Sequence, residues 1–507
     1  MLFSFPLLLE NMEVKKSSLF LLFLPIFLLS CSSNDFKLFA NNGLVTSSFE
    51  AADYEGYKKI GEFNSINSLD AIYDSSSFSS IVSFSNNVVL PSTGEVPLLV
   101  MPISFSSTIE NENEKLTMIK KAFFGSERNN QYVSVSQYYY QSSCSRLFLN
   151  GKVAPSFYKS TYSLEEISSY RGNAKTKAAL TSIYKDALDW YKQTYKEDYD
   201  YFYSIYKEKI PMYLIYDAPY SGMDGGSSDR HSMMWAFTIN DPAPICWSSY
   251  YMGYPSGGKM DAHTYIHEVG HLFGLPDYYD SISSTPNKIS PLGRMDMMDC
   301  SLGDHNAFSK MLLNWARPFY PERECEITIH QGSGNNECIL LSSSWNKTPF
   351  DQYLLLEFYT PSYLNYADSN RNDNKTLCLF TKPGVKAYLV DSRLAIYNGV
   401  SKLGYLNESV SSKGKRIYFY NDNSSSSFLI QLLDKSSSST ELMPFYCASI
   451  ENKIVNENNN QVNLRDALFY EGEGMDSSFA GISQFGYGFK VKELTSSYAK
   501  ISVFPLS

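Results

Sequence analysis

The segment DAHTYIHEVGHLFGLPDYYD, residues 261–280, decides how the surrounding chain folds. Asp261 is a suitable helix N-cap, and residues 262–273 contain no proline. Gly274 followed by Pro276 is a strong helix stop signal. The sequence therefore predicts one short helix over 262–273 that ends in a sharp turn.

Four side chains of this segment form a metal-binding pattern. His267 and His271 are four residues apart, so a helix projects both from one face on successive turns. Gly274 can adopt the left-handed conformation that brings Asp277 back as an oxygen ligand. Three protein ligands and one water are the layout of a catalytic zinc, and Glu268 can face the open position. The pattern predicts a zinc site with an adjacent carboxylate.

The pattern is specific. With 6 His in 507 residues, a chance HExxH is expected about 0.004 times in the chain. The alternative interpretation is a buried helix whose histidines only satisfy neighbouring groups. His263 lies four residues before His267, but that pair would have Thr264 where the carboxylate belongs. We interpret His263 as a residue that packs against the ligands or supports them.

A second block, GRMDMMDCSLGDHNAFSKMLLNW, follows at 293–315. It resembles the turn of the metzincin class of zinc proteases, in which a methionine underlies the metal. Met298 is the residue that we expect in that role, with Met297 as the alternative; methionines in a turn are otherwise core packing. His305 is a candidate for contacting the substrate or its oxyanion, and a helix-capping role is the alternative.

The flanking sequence predicts mixed structure followed by β-structure. Residues 96–105, 211–219 and 232–240 have the composition of strands, and 172–209 has the spacing of one long amphipathic helix. Apolar and polar runs separated by Ser/Asn loops follow after about residue 320, typical of a β-sandwich. The expected fold class is α+β, with a catalytic domain over 91–322 and an all-β, sandwich-like region over 323–507.

The N-terminus has the features of an export signal. Lys15 and Lys16 precede an apolar run at 19–29 that is too short to span a bilayer. LLSC at 28–31 resembles a bacterial lipobox, so we expect 1–31 to be a lipoprotein signal and Cys31 to carry a lipid anchor. An ordinary signal peptide is the alternative. Residues 32–90 are predicted to be a Ser/Asn-rich linker or propeptide-like segment. The expected location is the outer face of the cell membrane, or outside the cell.

Composition excludes several classes of protein. Lys+Arg 43 against Asp+Glu 53 gives a net charge of −10, which argues against nucleic-acid binding. Hydrophobic residues at 43% and aromatic residues at 15% argue against wholesale disorder or a coiled coil. The cysteines include no CxxC, which argues against a structural zinc cluster. Cys325 and Cys338 are the first pair to consider for a disulfide.

Two loops resemble calcium sites in part. DSNRNDN at 368–374 has Asp373 at the sixth position and Leu379 at the twelfth, so it is not an EF-hand. In DGGSSD, Asp224 and Asp229 are candidate calcium ligands, although a glycine-rich connection is the favoured interpretation. Zinc is thus the expected cofactor, with calcium at Asp224 and Asp229 as a second candidate.

Together these blocks resemble the immune-inhibitor-A-type secreted metalloproteases of bacteria. The resemblance runs from VPLLVMPISF at 96–105 to GVKAYLVDSRL beyond residue 383, and covers roughly residues 95–395. It implies a zincin-like catalytic domain followed by β-structure, zinc dependence, and protein or peptide substrates. It also places His267, His271 and Asp277 at the metal positions and Glu268 at the catalytic glutamate.

The expected function is a secreted or surface-tethered zinc endopeptidase in which Glu268 takes a proton from the attacking water. The strand predicted at 232–240 is the expected edge against which an extended substrate lies. One alternative is a surface adhesin with a structural or vestigial zinc site, although such a site has no use for Glu268. Another is a zinc amidase that acts on a cell-wall substrate.

Overall fold

The computed structural model describes residues 52–54, 57–59, 89–126, 131–223, 229, 231–253, 259–279, 291–293, 295–331, 336–346, 348–370, 379–396, 403–411, 414–418, 428–433, 467–479 and 482–506. Cys31, with the whole predicted signal peptide, and Asp224 lie outside these residues.

The elements are numbered along the chain. The helices are α1 (Glu112–Phe124), α2 (Val135–Ser142), α3 (Leu164–Ser169), α4 (Asn173–Thr194), α5 (Lys196–Tyr206), α6 (His263–Leu272), α7 (Met297–Cys300), α8 (Ala307–Leu312) and α9 (Tyr366–Ser369). The strands are β1 (Ala52–Tyr54), β2 (Tyr57–Lys59), β3 (Gly94–Ser104), β4 (Leu147–Val153), β5 (Tyr158–Lys159), β6 (Met212–Tyr216), β7 (Phe237–Ile239), β8 (Ile245–Ser249), β9 (Arg317–Pro321), β10 (Cys325–His330), β11 (Glu337–Leu341), β12 (Gln352–Tyr359), β13 (Gly384–Asp391), β14 (Leu394–Ile396), β15 (Leu403–Ser411), β16 (Gly414–Tyr418), β17 (Ile430–Leu432), β18 (Leu468–Phe469), β19 (Gly474–Met475), β20 (Tyr487–Leu494) and β21 (Tyr498–Pro505).

The first half of the chain is built on a mostly parallel sheet with the order β4-β3-β6-β8-β7, in which β5 also pairs with β3. The strand β3 shows why this sheet is buried on both faces. Leu98 and Val100 belong to the core with α1, α2 and α6, while Leu99 and Met101 belong to the core with α3, α4 and α5. Helices on both faces explain the nearly continuous apolar run of this strand.

The long helix predicted over 172–209 is two helices. α4 ends at Thr194 and α5 begins at Lys196, because Tyr195 between them has φ −128° and ψ 56°. The bend lets Tyr199 and Phe202 of α5 reach the same core as α4. Apolar spacing alone carries no information about such a break, since the pattern continues on both sides.

The strand predicted over 232–240 is shorter and lies at the edge of the sheet. β7 pairs antiparallel with β8, whereas β8 pairs parallel with β6 on its other side. Phe237 and Ile239 pack against the core with α4 and α5. Because side chains alternate along a strand, Thr238 faces the side on which α6 lies.

The described part of the second half forms two sheets packed face to face and a separate three-stranded sheet of order β14-β15-β16. One has the order β1-β2-β9-β11-β12-β13-β17, with β18 also paired to β13, and the other has the order β10-β21-β20-β19. Leu354 and Leu356 of β12 pack with Val491 and Ile501 of the second sheet. Leu355, on the opposite face of β12, belongs to the core that contains the buried residues of α6. The α+β class and the β-rich second half are confirmed.

The segment described above as a linker contributes to this second half. β1 and β2 form a hairpin, and β2 pairs antiparallel with β9, with Tyr57 opposite Pro321. Nearer the first half, the Leu90 N–H donates to the carbonyl of Leu272 at the end of α6 (2.8 Å), and the Trp315 indole donates to the carbonyl of Ser92 (2.6 Å).

Two further findings concern the described part of the chain. The thiol of Cys325 is not in a disulfide, so the pairing considered with Cys338 is wrong. No helix within the described ranges has both the length and the apolar character needed to cross a bilayer.

Candidate metal centre

The helix α6 begins and ends as the sequence predicts to within a residue. The N-cap position is Ala262 and not the predicted Asp261, whose Oδ1 nevertheless accepts a hydrogen bond from the backbone N–H of His263 (3.0 Å). The last helical residue is Leu272. Gly274 has φ 90°, the left-handed conformation that favours glycine. The N–H of Leu275 then donates to the carbonyl of Gly270 (3.2 Å), which turns the chain back toward the helix.

This turn brings the three expected ligands together. The Nε2 atoms of His267 and His271 lie 3.0 and 3.2 Å from Asp277 Oδ1. The Nδ1 atoms point the other way: His267 donates to the carbonyl of Met297 (2.7 Å) and His271 to that of Leu275 (2.8 Å). Because each Nδ1 donates to a carbonyl, the Nε2 that faces Asp277 is the nitrogen that would bind a metal, which would displace the proton between Nε2 and the carboxylate.

The donor set fits zinc. The three ligand atoms lie within 4.8 Å of one another. Within the described ranges, these residues form the one group of three or more His, Cys, Asp or Glu side chains that could hold a metal ion. Zinc takes nitrogen and oxygen ligands at about 2.0–2.2 Å, so the ligand atoms of a tetrahedral site are about 3.3 Å apart. The separations of 3.0 and 3.2 Å from Asp277 are close to this value.

The electrostatics of the site favour a cation between these groups. Burial by itself would raise the pKa of Asp277, but the His271 and His267 imidazoles lower it below its usual range. Burial would likewise lower the pKa of His271, but Asp277 raises it to about 9. The carboxylate thus attracts positive charge at the point where the two Nε2 atoms converge.

Glu268 is the buried carboxylate beside the ligands, with 5% of its surface exposed. Burial raises the pKa of Glu268, and the positive charges of His271 and His267 offset part of that effect. Its Oε2 accepts a hydrogen bond from the hydroxyl of Thr238 on β7 (2.9 Å). The carboxylate is therefore held from the edge strand and is suited to accept a proton.

Met298 lies against α6 beside the ligand histidines. A Cβ atom at Gly270 would lie 2.5 Å from Met298 Sδ, so any larger residue there would displace the end of the Met298 side chain. The N–H of Tyr278 donates to the carbonyl of Met298 (2.8 Å), which connects this turn to the segment after Asp277. Met297 contributes through its backbone, since its carbonyl holds His267 Nδ1.

The buried carboxylate Asp296 organises the same turn. Its Oδ1 accepts from the N–H of Met298 (2.8 Å), and its Oδ2 accepts from the backbone and side-chain N–H groups of Asn306 (2.8 and 2.9 Å). Burial raises the pKa of Asp296 to about 7, although these donors favour its charged form. The turn and the start of α8 are thereby joined through one side chain.

His305 lies inside the protein and not at a surface that substrate can reach. It is 1% exposed, and its ring lies 5.4 Å from Tyr138 and 6.0 Å from Tyr139 and Trp315, measured between ring centroids. Among the described residues, neither ring nitrogen has a hydrogen-bond partner. The expected role of His305 in contacting substrate or its oxyanion is therefore corrected: the aromatic rings enclose it. The neighbouring Asn306 is the helix cap.

His263 supports the helix from its first turn, as the sequence predicts. Its Nδ1 contacts Asp261, its Nε2 lies 3.0 Å from Asp368 Oδ2, and its ring stacks on Tyr132 at 3.8 Å between centroids. Asp368 Oδ2 also accepts from the N–H of Gly303 (2.8 Å). These contacts fix the start of α6 against a segment that the second half of the chain contributes.

Replacing His263 by glutamine is expected to remove a pH-dependent part of the stability. Burial by itself would lower the pKa of His263, but Asp261 and Asp368 raise it to about 9. A histidine whose pKa is higher in the folded than in the unfolded state stabilises the fold, here by up to about 3 kcal/mol. This contribution is fully present below the unfolded-state pKa of about 6.5 and is lost as pH rises through 9. Urea unfolding of the zinc-free protein at pH 6, 7.5 and 9.5 measures it. If the free energy of unfolding changed with pH equally in wild type and H263Q, this role of His263 would be contradicted.

Two supporting residues were not found by sequence reasoning. Thr238 contacts Glu268, and Asn240 Nδ2 donates to the carbonyl of His271 (3.0 Å). Both lie on or just after the edge strand, about thirty positions before the helix residues that they contact. Alternation along the predicted strand would have placed them on one face, but not the face that meets α6.

The candidate calcium ligands that the structure describes have other partners. The Asp229 carboxylate is paired with Arg171, while Asp224 lies outside the described residues. Asp368, which begins the other loop, is buried against His263 and Gly303. These contacts give both described carboxylates structural roles.

Comparison with known proteins identifies no family. No family model matches the chain, and no curated protein matches it. Among solved structures, the chain is similar to wild-type OgpA from Akkermansia muciniphila, with a TM-score of 0.24 and 11% identity over 61% of this chain and 87% of that chain. A likeness at this TM-score supports neither a shared fold nor a function.

Proposed function

We propose that this protein is a zinc-dependent endopeptidase. The observation that carries the proposal is the convergence of His267 Nε2, His271 Nε2 and Asp277 Oδ1 beside the buried carboxylate of Glu268. Two neutral imidazoles and a carboxylate are a catalytic zinc donor set, and a carboxylate that is not a ligand is what water activation requires.

His267, His271 and Asp277 would hold the metal. When bound, zinc lowers the pKa of a coordinated water and polarises a carbonyl group. The carbonyls of Met297 and Leu275 orient the two imidazoles by accepting from their Nδ1 atoms. Such outer contacts fix the tautomer and the direction of each lone pair.

Glu268 would move the proton. It takes a proton from the attacking water and passes it to the nitrogen of the leaving amine when the peptide bond breaks. Its buried position raises its pKa, which makes it a better proton acceptor than an exposed glutamate. Peptide bond and water are consumed, and a carboxylate and an amine are formed.

The edge strand β7 would hold the substrate. It pairs with β8 along one side, and an edge strand can accept a further extended chain along its other side. Thr238 in its centre contacts Glu268, so a peptide added to β7 would lie next to the proposed acid and base. We also propose, from the sequence resemblance, a zincin-like catalytic unit related to the immune-inhibitor-A type.

Export and lipid attachment at Cys31 are part of the proposal. The basic residues, the short apolar run and the LLSC sequence support them. If Cys31 is the lipidated residue, a globomycin-type inhibitor of lipoprotein processing in a bacterial host would leave a larger precursor. The Cys31→Ser variant would be unaffected by the inhibitor.

Zinc removal is expected to abolish cleavage of an unfolded protein by residues 32–507. Purified protein should contain one zinc per chain, and chelation should stop cleavage until zinc is restored. His271→Ala should lose both zinc and activity, because two ligands hold the metal far more weakly than three. His231→Ala, an exposed histidine, is the matched control.

Metal analysis and substrate choice separate the alternatives. Zinc retained by the wild type without cleavage of either unfolded protein or wall fragments would favour an adhesin with a structural site. Cleavage of wall fragments alone would favour an amidase. Full zinc content in His271→Ala would contradict the assigned ligands.

A further inference from the structure

Thr238 is the side chain through which the edge strand contacts the proposed general base. Its Oγ1 lies 2.9 Å from Glu268 Oε2. Its neighbours Phe237 and Ile239 pack on the opposite face of the sheet, so strand alternation directs Thr238 toward α6. The sheet therefore directs this hydroxyl toward α6.

The hydroxyl has three acceptors within reach but only one hydrogen to donate. Besides Glu268 Oε2, Thr238 Oγ1 lies 3.1 Å from the Glu268 carbonyl and 3.3 Å from Cys246 Sγ. The Cys246 thiol itself donates to the same carbonyl at 3.3 Å. Since a charged acceptor forms the stronger bond and this contact is the shortest, the hydrogen goes to the carboxylate.

A second contact ties the same strand to the same helix. Asn240, two residues after Thr238, donates from Nδ2 to the carbonyl of His271 (3.0 Å). The two contacts reach α6 at Glu268 and at a ligand histidine, one turn apart. The edge strand and the catalytic helix are thereby held in fixed register.

We propose that Thr238 is a positioning residue for Glu268, which holds Oε2 so that Oε1 is the oxygen that takes the proton from water. This inference rests on the proposed function, because it assigns Thr238 a part in the proton transfer proposed above. The proton moves from water to Oε1 and then to the leaving amine, while the hydrogen bond to Oε2 keeps the carboxylate plane in place.

The test compares Thr238→Val, Thr238→Ala and Thr238→Ser in the zinc-loaded protein. Loss of a hydrogen bond to a charged group predicts a kcat about 10- to 100-fold lower for Val and Ala. KM and zinc content should change little, and Ser should restore kcat to within about threefold of wild type. Thr176→Val is the matched control, since Thr176 is a buried threonine whose hydroxyl bonds to the carbonyl of Gly172, remote from the site.

The outcomes separate this inference from the proposed function. If the wild type cleaves no peptide, the proposed function fails. If the wild type cleaves and Thr238→Val has an unchanged kcat, or if its loss is confined to KM, the positioning role is overturned. Should Thr238→Val fold poorly, the difference between Ser and Ala decides, because these two variants differ at this position only by the hydroxyl. Equal kcat values for Ser and Ala would also overturn the proposal.

Discussion

Replacing Glu268 by glutamine is expected to reduce peptide hydrolysis by about 10³-fold or more while zinc stays bound. The amide is close in size to the carboxylate and can still contact Thr238, so the packing around the 5%-exposed side chain is preserved. It cannot accept a proton from water, and the ligands His267, His271 and Asp277 are untouched. Hydrolysis of an unfolded protein and zinc content, measured on the same samples, test this expectation.

The control for Glu268 is an exposed glutamate. Glu165→Gln at the start of α3 changes the same functional group at the surface and should leave both hydrolysis and zinc content unchanged. Cleavage by Glu268→Gln at the wild-type rate would remove the general-base assignment. Loss of zinc together with activity would indicate that Glu268 supports the metal and not the proton transfer.

His305 is expected to make the folded protein sensitive to acid. Burial lowers the pKa of His305 to about 3, whereas an unfolded chain protonates histidine at about 6.5. The unfolded chain binds this proton at a higher pH than the folded protein does. The free energy of unfolding therefore falls by about 1.4 kcal/mol for each pH unit below 6.5. The loss is about 2 kcal/mol at pH 5 and approaches about 5 kcal/mol at pH 3.

Replacing His305 by phenylalanine should remove this slope. Its surroundings are the aromatic rings of Tyr138, Tyr139 and Trp315, and the histidine that it replaces makes no hydrogen bond to a described residue through its ring nitrogens. Urea unfolding of the zinc-free proteins at pH 7, 6 and 5 gives the slope of the unfolding free energy against pH. A change in packing that is the same at every pH does not alter this slope.

Two further variants keep this test decisive. His305→Gln also cannot titrate and should share the shallower slope if the phenylalanine packs poorly. His231→Phe alters an exposed histidine and should keep the wild-type slope. A wild-type slope in both His305 variants would show that the acid sensitivity arises elsewhere. The expected acid loss at His305 and the expected alkaline loss at His263 act at opposite ends of the pH range.

Much of the metal-binding segment follows from local sequence. The helix α6, its stop at Gly274 and the same-face placement of His267 and His271 need only the helical repeat and the conformational freedom of glycine. The approach of Asp277 also follows, because only a short turn separates it from the helix. Local rules succeed here because each interaction joins residues within ten positions.

Other parts could not be predicted, because distant segments decide them. His305 has the composition of a functional histidine, but Tyr138 and Tyr139 of α2, more than 160 positions earlier, enclose it. The N-terminal hairpin β1–β2 pairs with β9 across about 260 positions, so composition alone suggested a linker. The bend at Tyr195 is set by what α5 packs against, and a continuous apolar pattern gives no signal of it.

The α+β class, the short helix and the set of side chains that can bind a metal follow from the sequence, since these depend on residue type and spacing along one element. Which groups hold those side chains depends on the tertiary structure. Thr238 reaches Glu268, the Met297 carbonyl holds His267, and Met298 packs against Gly270. These contacts require a sheet edge, a turn and a helix to meet, and hydrogen bonds and close packing act only over a few ångströms in space.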